Sequence, residues 1–264
     1  MCGIFGYIGS KRATPILING MRRLEYRGYD STGIAIKDED ISIFKKVGKV
    51  SEMQSILPLN VQGVTGIGHT RWATHGGVTD ANAHPHASAS GDVVIVHNGI
   101  INNSRILRAS LVAKGVELKS ETDSEALAHL IEIELSVDNN PEAAVRRTLQ
   151  KARGTWGLCA LFKNHDLIVV ARNGSPLVIG KGDDETFISS DRPTLSEFTD
   201  RVVDLQDGDI AVITATSITR STLKGDSKKV EISVLEKSWG EADLGEYEHY
   251  MLKEIHEQPD ALRH

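Results

Sequence analysis

Leu158-Cys159-Ala160-Leu161-Phe162, then Lys163-Asn164-His165-Asp166, then Leu167-Ile168-Val169-Val170-Ala171: two apolar runs of strand length flank a short polar link. Neither run is long enough for a free-standing helix. The link holds a hairpin turn but no crossover helix, so the two strands pair antiparallel. Arg172 to Pro176 joins the second run to Leu177–Ile179 on the same terms. Working outward, the same pattern places strands at Cys2–Ile8, Thr32–Ile36, Ile41–Val47, Val64–Thr70, Val93–His97, Thr186–Ser189 and Ile210–Thr214.

Helical periodicity interrupts these strands. Thr14–Tyr26 gathers Ile16, Leu17, Met21 and Leu24 on one stripe. Ser104–Lys114 gathers Ile106, Leu107 and Leu111 ahead of Gly115, a C-cap signal. Thr122–Leu135 opens with a capping box, Thr122 with Glu125, and turns Leu127, Leu130 and Ile131 inward. Pro141 suits a first helical position ahead of Ala144–Leu149. Helices that adjoin between runs of strands predict an α+β layered fold rather than a regular βαβ alternation. Gly245–His264 is a charged helical pattern with Tyr247, Tyr250, Met251 and Ile255 and no cap, as in a chain that leads into something larger.

The 264 residues suffice for one large domain with a sizeable core, and 40% apolar with 25% charged residues is ordinary globular composition. Thirty Lys and Arg against 36 Asp and Glu give a net charge of −6, spread along the chain, which argues against a nucleic-acid partner. The longest uncharged run, Met53 to Thr70, is broken by polar residues and three glycines, and predicts no membrane span. Lys11 and Arg12 follow too soon after the start for a secretory signal. Two cysteines, Cys2 and Cys159, cannot build a disulfide framework, so a reducing cytoplasm is expected.

Chemistry begins at Cys2. Removal of Met1 would place a thiol and a free α-amine on one residue. An α-amine has a pKa of about 7.7–8.0, so part of it is neutral near pH 7 and able to act as base for the adjacent nucleophile. A buried small hydrophobe is the alternative reading of a second-position cysteine. Further on, Val96-His97-Asn98-Gly99-Ile100-Ile101 puts an Asn-Gly at the end of an apolar strand. The pair reads either as a turn or as two oxyanion donors, a side-chain amide beside a glycine N–H.

Several short motifs stand in a telling order. They are Cys2-Gly3-Ile4, Glu25-Tyr26-Arg27-Gly28-Tyr29-Asp30-Ser31, His69 to Gly76, Asn82-Ala83-His84-Pro85-His86, His97 to Ile101 and Glu121-Thr122-Asp123. With them the chain resembles the class II glutamine amidotransferases, which are N-terminal-nucleophile hydrolases. Glu25 to Ser31, His69 to Gly76 and Tyr250 to Pro259 narrow the resemblance to the glutaminase domains of hexosamine-forming enzymes. It implies a four-layer αββα fold, two stacked antiparallel sheets between helical layers. It assigns residues 2–240 to the glutaminase domain and 241–264 to the start of a linker toward sugar-isomerase domains. The implied activity is hydrolysis of L-glutamine to glutamate and ammonia through a Cys2 thioester. That ammonia would supply glucosamine 6-phosphate synthesis from fructose 6-phosphate in a homo-oligomeric full-length enzyme. No cofactor, metal or membrane is implied, and this chain alone is expected to release ammonia without making the sugar product.

The resemblance also distributes roles. Cys2 is the nucleophile; Asn98, through its amide, and Gly99, through its N–H, hold the oxyanion. Arg71 grips the substrate α-carboxylate and Asp123 accepts from its α-ammonium; a zwitterion needs one fixed charge of each sign. Thr74 and His75 line the pocket, Trp72 sits near the exit for ammonia, and Arg27 orders the site around the N-terminus. Simpler roles stay open: an ordinary ion pair for Arg71, a helix first-turn charge for Asp123, an Arg27–Asp30 pair, a core position for Trp72. Asn102 departs from the Glu usual at that position, and Gly77 and Val78 fall in a variable flap.

Two rivals remain. His69, His75, His84 and His86, with Cys2, could hold a metal, though their spacing matches no usual zinc pairing. A non-enzymatic glutamine-sensing module is the other; the intact Cys2, Arg71, Asn98, Gly99 and Asp123 set weighs against it.

Overall fold

The computed structural model describes residues 2–58, 60–73, 76–235, 247 and 250–263. In chain order the first half runs β1 Gly3–Ile8, α1 Ala13–Leu24, a 3-10 turn Glu25–Arg27, β2 Ser31–Lys37, β3 Ile41–Val47, α2 Val50–Ser55, β4 Thr65–Arg71, β5 His86–Ala87 and β6 Val93–Ile101. Three helices follow, α3 Ser104–Ala113, α4 Asp123–Asp138 and α5 Pro141–Lys151. Then come β7 Gly154–Phe162, β8 Ile168–Asn173, β9 Val178–Lys181, β10 Thr186–Ser189, a 3-10 turn Pro193–Glu197 and β11 Arg201–Asp204. The chain continues through β12 Asp209–Ile213, β13 Ile218–Thr222, β14 Ser227–Lys228, β15 Ser233–Val234 and α6 Tyr250–Ala261.

Eight strands form one sheet, in the order β15-β11-β9-β10-β1-β4-β2-β3, and seven form the other, β14-β13-β12-β8-β7-β6-β5. The hairpin read from Leu158 to Ala171 is β7–β8, paired antiparallel from Gly157↔Arg172 to Leu161↔Ile168. The β8–β9 link does not return along the same sheet: β9 crosses into the other one, beside β10 and β11.

Both faces of each sheet are apolar, which makes the architecture four-layered. In β6, Val93 and Ile95 face α3, α4 and α5, packing with Leu107, Leu127, Ile131 and Val145. Val94 and Val96 face the opposite sheet, with Ile4, Ile67, Cys159 and Leu161 between the two. In β1, Phe5 and Tyr7 face α1 and α2 with Leu17, Met21 and Met53. This is strand alternation with a core on either side. The expected αββα arrangement is therefore present.

Local signals hold in detail, with instructive exceptions. Gly115, at φ 84°, ends α3 in a Schellman pattern: Val116 N–H donates to Leu111 O and Gly115 N–H to Val112 O. Pro141 opens α5 behind an Asn140 cap that accepts from Ala143 N–H. Thr122 caps α4 by accepting from Glu125 N–H, but Glu125 does not return the bond. Its carboxylate instead takes the Lys119 and Ser120 N–H groups, so half of the expected box is spent on the preceding loop. The Thr14–Tyr26 stripe ends as a helix at Leu24, followed by the Glu25–Arg27 3-10 turn. Short α2 and the short strands β5, β11, β13, β14 and β15, at or next to sheet edges, carry too few residues to show a period. The expected boundary between 240 and 241 lies outside the described residues, as does the start of the Gly245–His264 pattern. No helix among the described residues is long and apolar enough to cross a membrane.

Candidate active site

Period-two alternation builds the site. In β1 the inward residues are Ile4 and Ile8, which puts Cys2 on the same face one step before the strand. In β4, Ile67 faces inward and so do His69 and Arg71; in β6, Val94 and Val96 are followed on their face by Asn98. Gly3 pairs with Thr70 and Ile4 with His69, so the register continued by one step sets Cys2 against Arg71. The inter-sheet core thus changes from apolar to polar at one end, and the candidate residues converge there from both sheets.

Cys2 is half-buried. Its Sγ accepts the Trp72 N–H at 3.2 Å and lies 3.4 Å from the Trp72 carbonyl oxygen. Burial pushes its thiol above the ordinary value; the Trp72 N–H and the Arg71 guanidinium oppose this without cancelling it. The strand behind it is pinned on both sides, since Ile4 N–H donates to Ser190 Oγ and Ser190 N–H to Ile4 O. Asn98 is buried, and its Nδ2 donates to the Cys2 carbonyl oxygen at 3.2 Å, while its Oδ1 lies 2.9 Å from His69 Nε2.

The Asn98-Gly99 pair is not a turn. Strand β6 continues through it to Ile101, with Asn98 opposite Gly157 and Gly99 opposite Trp156. Gly99 has φ 137°, and a Cβ there would collide with the Thr155 carbonyl oxygen, so only glycine fits. On the opposite face of β6, His97 Nδ1 meets Ser124 Oγ at 2.8 Å and ties the strand to the start of α4.

Asp123 is the first residue of α4, and its Oδ2 accepts the Ile101 N–H at 2.7 Å, so it is both a first-turn charge and a brace for the end of β6. Arg71 is buried and donates to Gly77 O at 3.2 Å; Cys2, Asp30 and Asp123 all lie in its electrostatic field. Trp72 is 48% exposed and so is no core residue. Arg27 pairs with Asp191 at 3.2 Å rather than with Asp30. Asp30 accepts the Ala73 N–H instead. Thr74 and His75 lie outside the described residues. The flap beyond them is tied down at Gly77, whose N–H donates to Glu121 and whose carbonyl takes Asn82 Nδ2. At the unusual Asn102, the backbone N–H donates to Arg153 O.

The histidines assemble differently from a metal centre. His69 stacks on His84 with ring centroids 4.2 Å apart, His84 meets His86 edge-on at 4.5 Å, and His86 Nε2 reaches Thr122 Oγ1 at 3.0 Å. Burial drives all three toward the neutral form, His69 down to about 3. Among the described residues, no group of three or more His, Cys, Asp and Glu side chains is arranged to hold a metal ion. Gly33 makes room for this seam: it sits opposite His69, and a Cβ there would collide with the His84 carbonyl oxygen. The direct grip of His69 on Asn98 was not anticipated from sequence, although its position two residues before Arg71 on one strand already put it on the same face.

Residues 69–197 match the profile of a glutamine amidotransferase domain. The whole chain is 46% identical to 44% of the length of a glutamine–fructose-6-phosphate aminotransferase (isomerizing) from Chlorobaculum tepidum. It is 45% identical, over 99% of its residues and 43% of the relative, to the protein of the same name from Thermus thermophilus. The chain thus spans less than half the length of these curated relatives. Among solved structures, an allosteric regulatory enzyme of purine biosynthesis superposes with a TM-score of 0.74 at 25% identity, over 84% of this chain and 49% of that one. A glutamine phosphoribosylpyrophosphate amidotransferase from B. subtilis gives 0.73 at 24% identity, over 87% and 50%, and so shares the fold. By sequence along its length and by architecture, the chain belongs to the glutamine amidotransferase domain family.

Proposed function

We propose that this domain hydrolyses L-glutamine to glutamate and ammonia through a thioester on Cys2. The observation that carries the proposal is the Asn98 amide within hydrogen-bond distance of the Cys2 backbone, beside a thiol that its surroundings do not ionise. Such a thiol needs a base, and the α-amine of Cys2, freed when Met1 is removed, is the one built into the same residue. The amine takes the thiol proton as sulfur attacks the carboxamide carbon. Asn98 Nδ2 and Gly99 N–H stabilise the oxyanion, the amine returns the proton to departing ammonia, and water then releases glutamate.

Arg71 pairs with the substrate α-carboxylate and Asp123 with its α-ammonium, two charges of fitting sign at the polar end of the inter-sheet space. Thr74 and His75 complete the pocket, Trp72 borders the ammonia exit, and Arg27, held by Asp191, keeps the neighbourhood of the N-terminus in order. Residues 2–240 form the glutaminase unit and 241–264 lead toward sugar-isomerase domains of a longer, homo-oligomeric cytoplasmic enzyme. There the ammonia converts fructose 6-phosphate to glucosamine 6-phosphate. The names and lengths of the relatives support this placement.

The test is mass spectrometry after exposure to an electrophilic glutamine analogue. A single adduct on a chain beginning at Cys2, suppressed by excess glutamine, is expected. An adduct on Cys159 alone, or ammonia release that survives Cys2→Ala, would overturn the proposal. Glutamine binding without turnover by the processed chain would favour a sensing module instead.

A further inference from the structure

His69 is fully buried and takes no part in the chemistry proposed above, yet it touches the amide on which that chemistry depends. A carboxamide has two orientations related by a half-turn, and only one presents its NH₂ to an oxyanion. Asn98 Nδ2 lies 3.2 Å from the Cys2 carbonyl oxygen, which can only accept, so nitrogen is on the Cys2 side and Oδ1 on the other. Oδ1 in turn lies 2.9 Å from His69 Nε2, which must therefore carry the ring proton. With the ring neutral, Nδ1 is left bare, and among the described residues Nδ1 has no hydrogen-bond partner.

We propose that His69 is a positioning residue: its Nε2–H, donated to Asn98 Oδ1, holds the carboxamide with its NH₂ toward Cys2 and the developing oxyanion. This rests on the glutaminase reading. The ring is itself fixed by the stack on His84 and, through His86, by Thr122 at the N-cap of α4, the helix that begins with Asp123. One polar seam thus braces the oxyanion amide and the helix that presents the candidate ammonium ligand. Without the donor, the amide is free to turn its oxygen toward the negative charge, a penalty felt in the transition state and not in the bound substrate.

The test compares His69→Leu, which removes the donor, with His69→Gln, whose side-chain NH₂ can reach where Nε2–H stood. For glutamine hydrolysis by the processed chain, His69→Leu is expected to lower kcat about a hundredfold while KM stays within about threefold, and His69→Gln to recover most of the loss. The aldehyde analogue of glutamine adds the Cys2 thiol across its carbonyl: an S–C bond forms and the thiol proton ends on the carbonyl oxygen. Its affinity is expected to fall in parallel in His69→Leu, with glutamate affinity unchanged. Equal losses in kcat and in glutamate binding, or no recovery with Gln in a folded protein, would overturn the proposal by marking a merely structural histidine. If His69→Leu does not fold, nitrogen NMR of the native protein decides. A neutral ring protonated at Nε2 from pH 5 to 8 supports the proposal, and an Nδ1–H ring or a titrating one overturns it. Cys2-independent ammonia release by the native chain would sink the glutaminase reading itself, whereas an unaffected kcat in His69→Leu with Cys2 essential would sink the positioning role alone.

Discussion

The two cysteines face the same inter-sheet space from opposite situations. Cys159 lies in the middle of β7, fully buried, opposite Val96 and among Ile4, Ile67 and Leu161. Burial alone pushes its thiol far up, with nothing opposing. Cys2 sits where that space opens, with a backbone N–H on its sulfur, an arginine nearby and an amide on its carbonyl. Both thiols are raised, so neither is a ready thiolate. On the proposed mechanism, access, a neighbouring base and donors for the tetrahedral oxyanion separate the two, and all of these depend on where a strand ends rather than on the residue type.

The sharpest break in the comparison is deletion of each sulfur. Cys2→Ala should lower glutamine hydrolysis by at least about a thousandfold, whereas Cys159→Ala should stay within about twofold and cost about 1 kcal/mol in urea unfolding. Retention of Met1 should silence the enzyme as fully as Cys2→Ala, because the α-amine becomes an amide; intact mass beside an ammonia assay reads this directly. Next in size, Asn98→Ala should reduce kcat about 10²- to 10³-fold with little change in KM. Arg71→Lys should then lower kcat/KM about 10- to 100-fold, mainly through KM, since an ammonium loses the two-pronged grip of a guanidinium on a carboxylate. The last effect concerns stability rather than rate, on the polar side of the comparison.

His69, His84, His86 and His97 are all held neutral by burial. Their folded pKa values lie below the unfolded value of about 6.5, so the unfolded chain binds more protons, and stability is complete above that pH and lost as pH falls below it. Glu125 acts in the same direction lower down. Burial alone would raise its carboxyl, but the proximity of the His129 ring, 3.7 Å away, and hydrogen bonds from Lys119 and Ser120 hold it down to about 2, and that contribution fades below about pH 4.5. Unfolding free energy should therefore drop by more than about 2 kcal/mol between pH 7 and pH 5, measured by urea titration. A flat profile would mean that the seam is hydrated.

Much of the architecture was legible because its determinants are local. Alternation and hairpin-sized links mark the strands, Gly115 and Pro141 punctuate helices, and both depend on neighbours a few residues away. The edge strands were missed for the same reason: Ser227–Lys228 and Ser233–Val234 are too short to display a period, and they pair only because another edge is already there. The candidate site was legible in its motifs but not in its wiring. Asn-Gly reads locally as a turn, and strand β7 overrules that by pairing straight through it.

Residue types and their spacing were enough to state which side chains share a face, since that follows from the two-residue repeat of an extended chain. Which faces meet was settled by packing one sheet on another. Cys2 and Asn98 are 96 residues apart, one directly before a strand of the first sheet and the other within a strand of the second. Their approach, the hold of His69 on the amide and the pairing of Arg27 with Asp191 rather than Asp30 come from buried area distributed over both sheets. No local stretch of chain encodes a contact whose driving force is the collapse of the whole core.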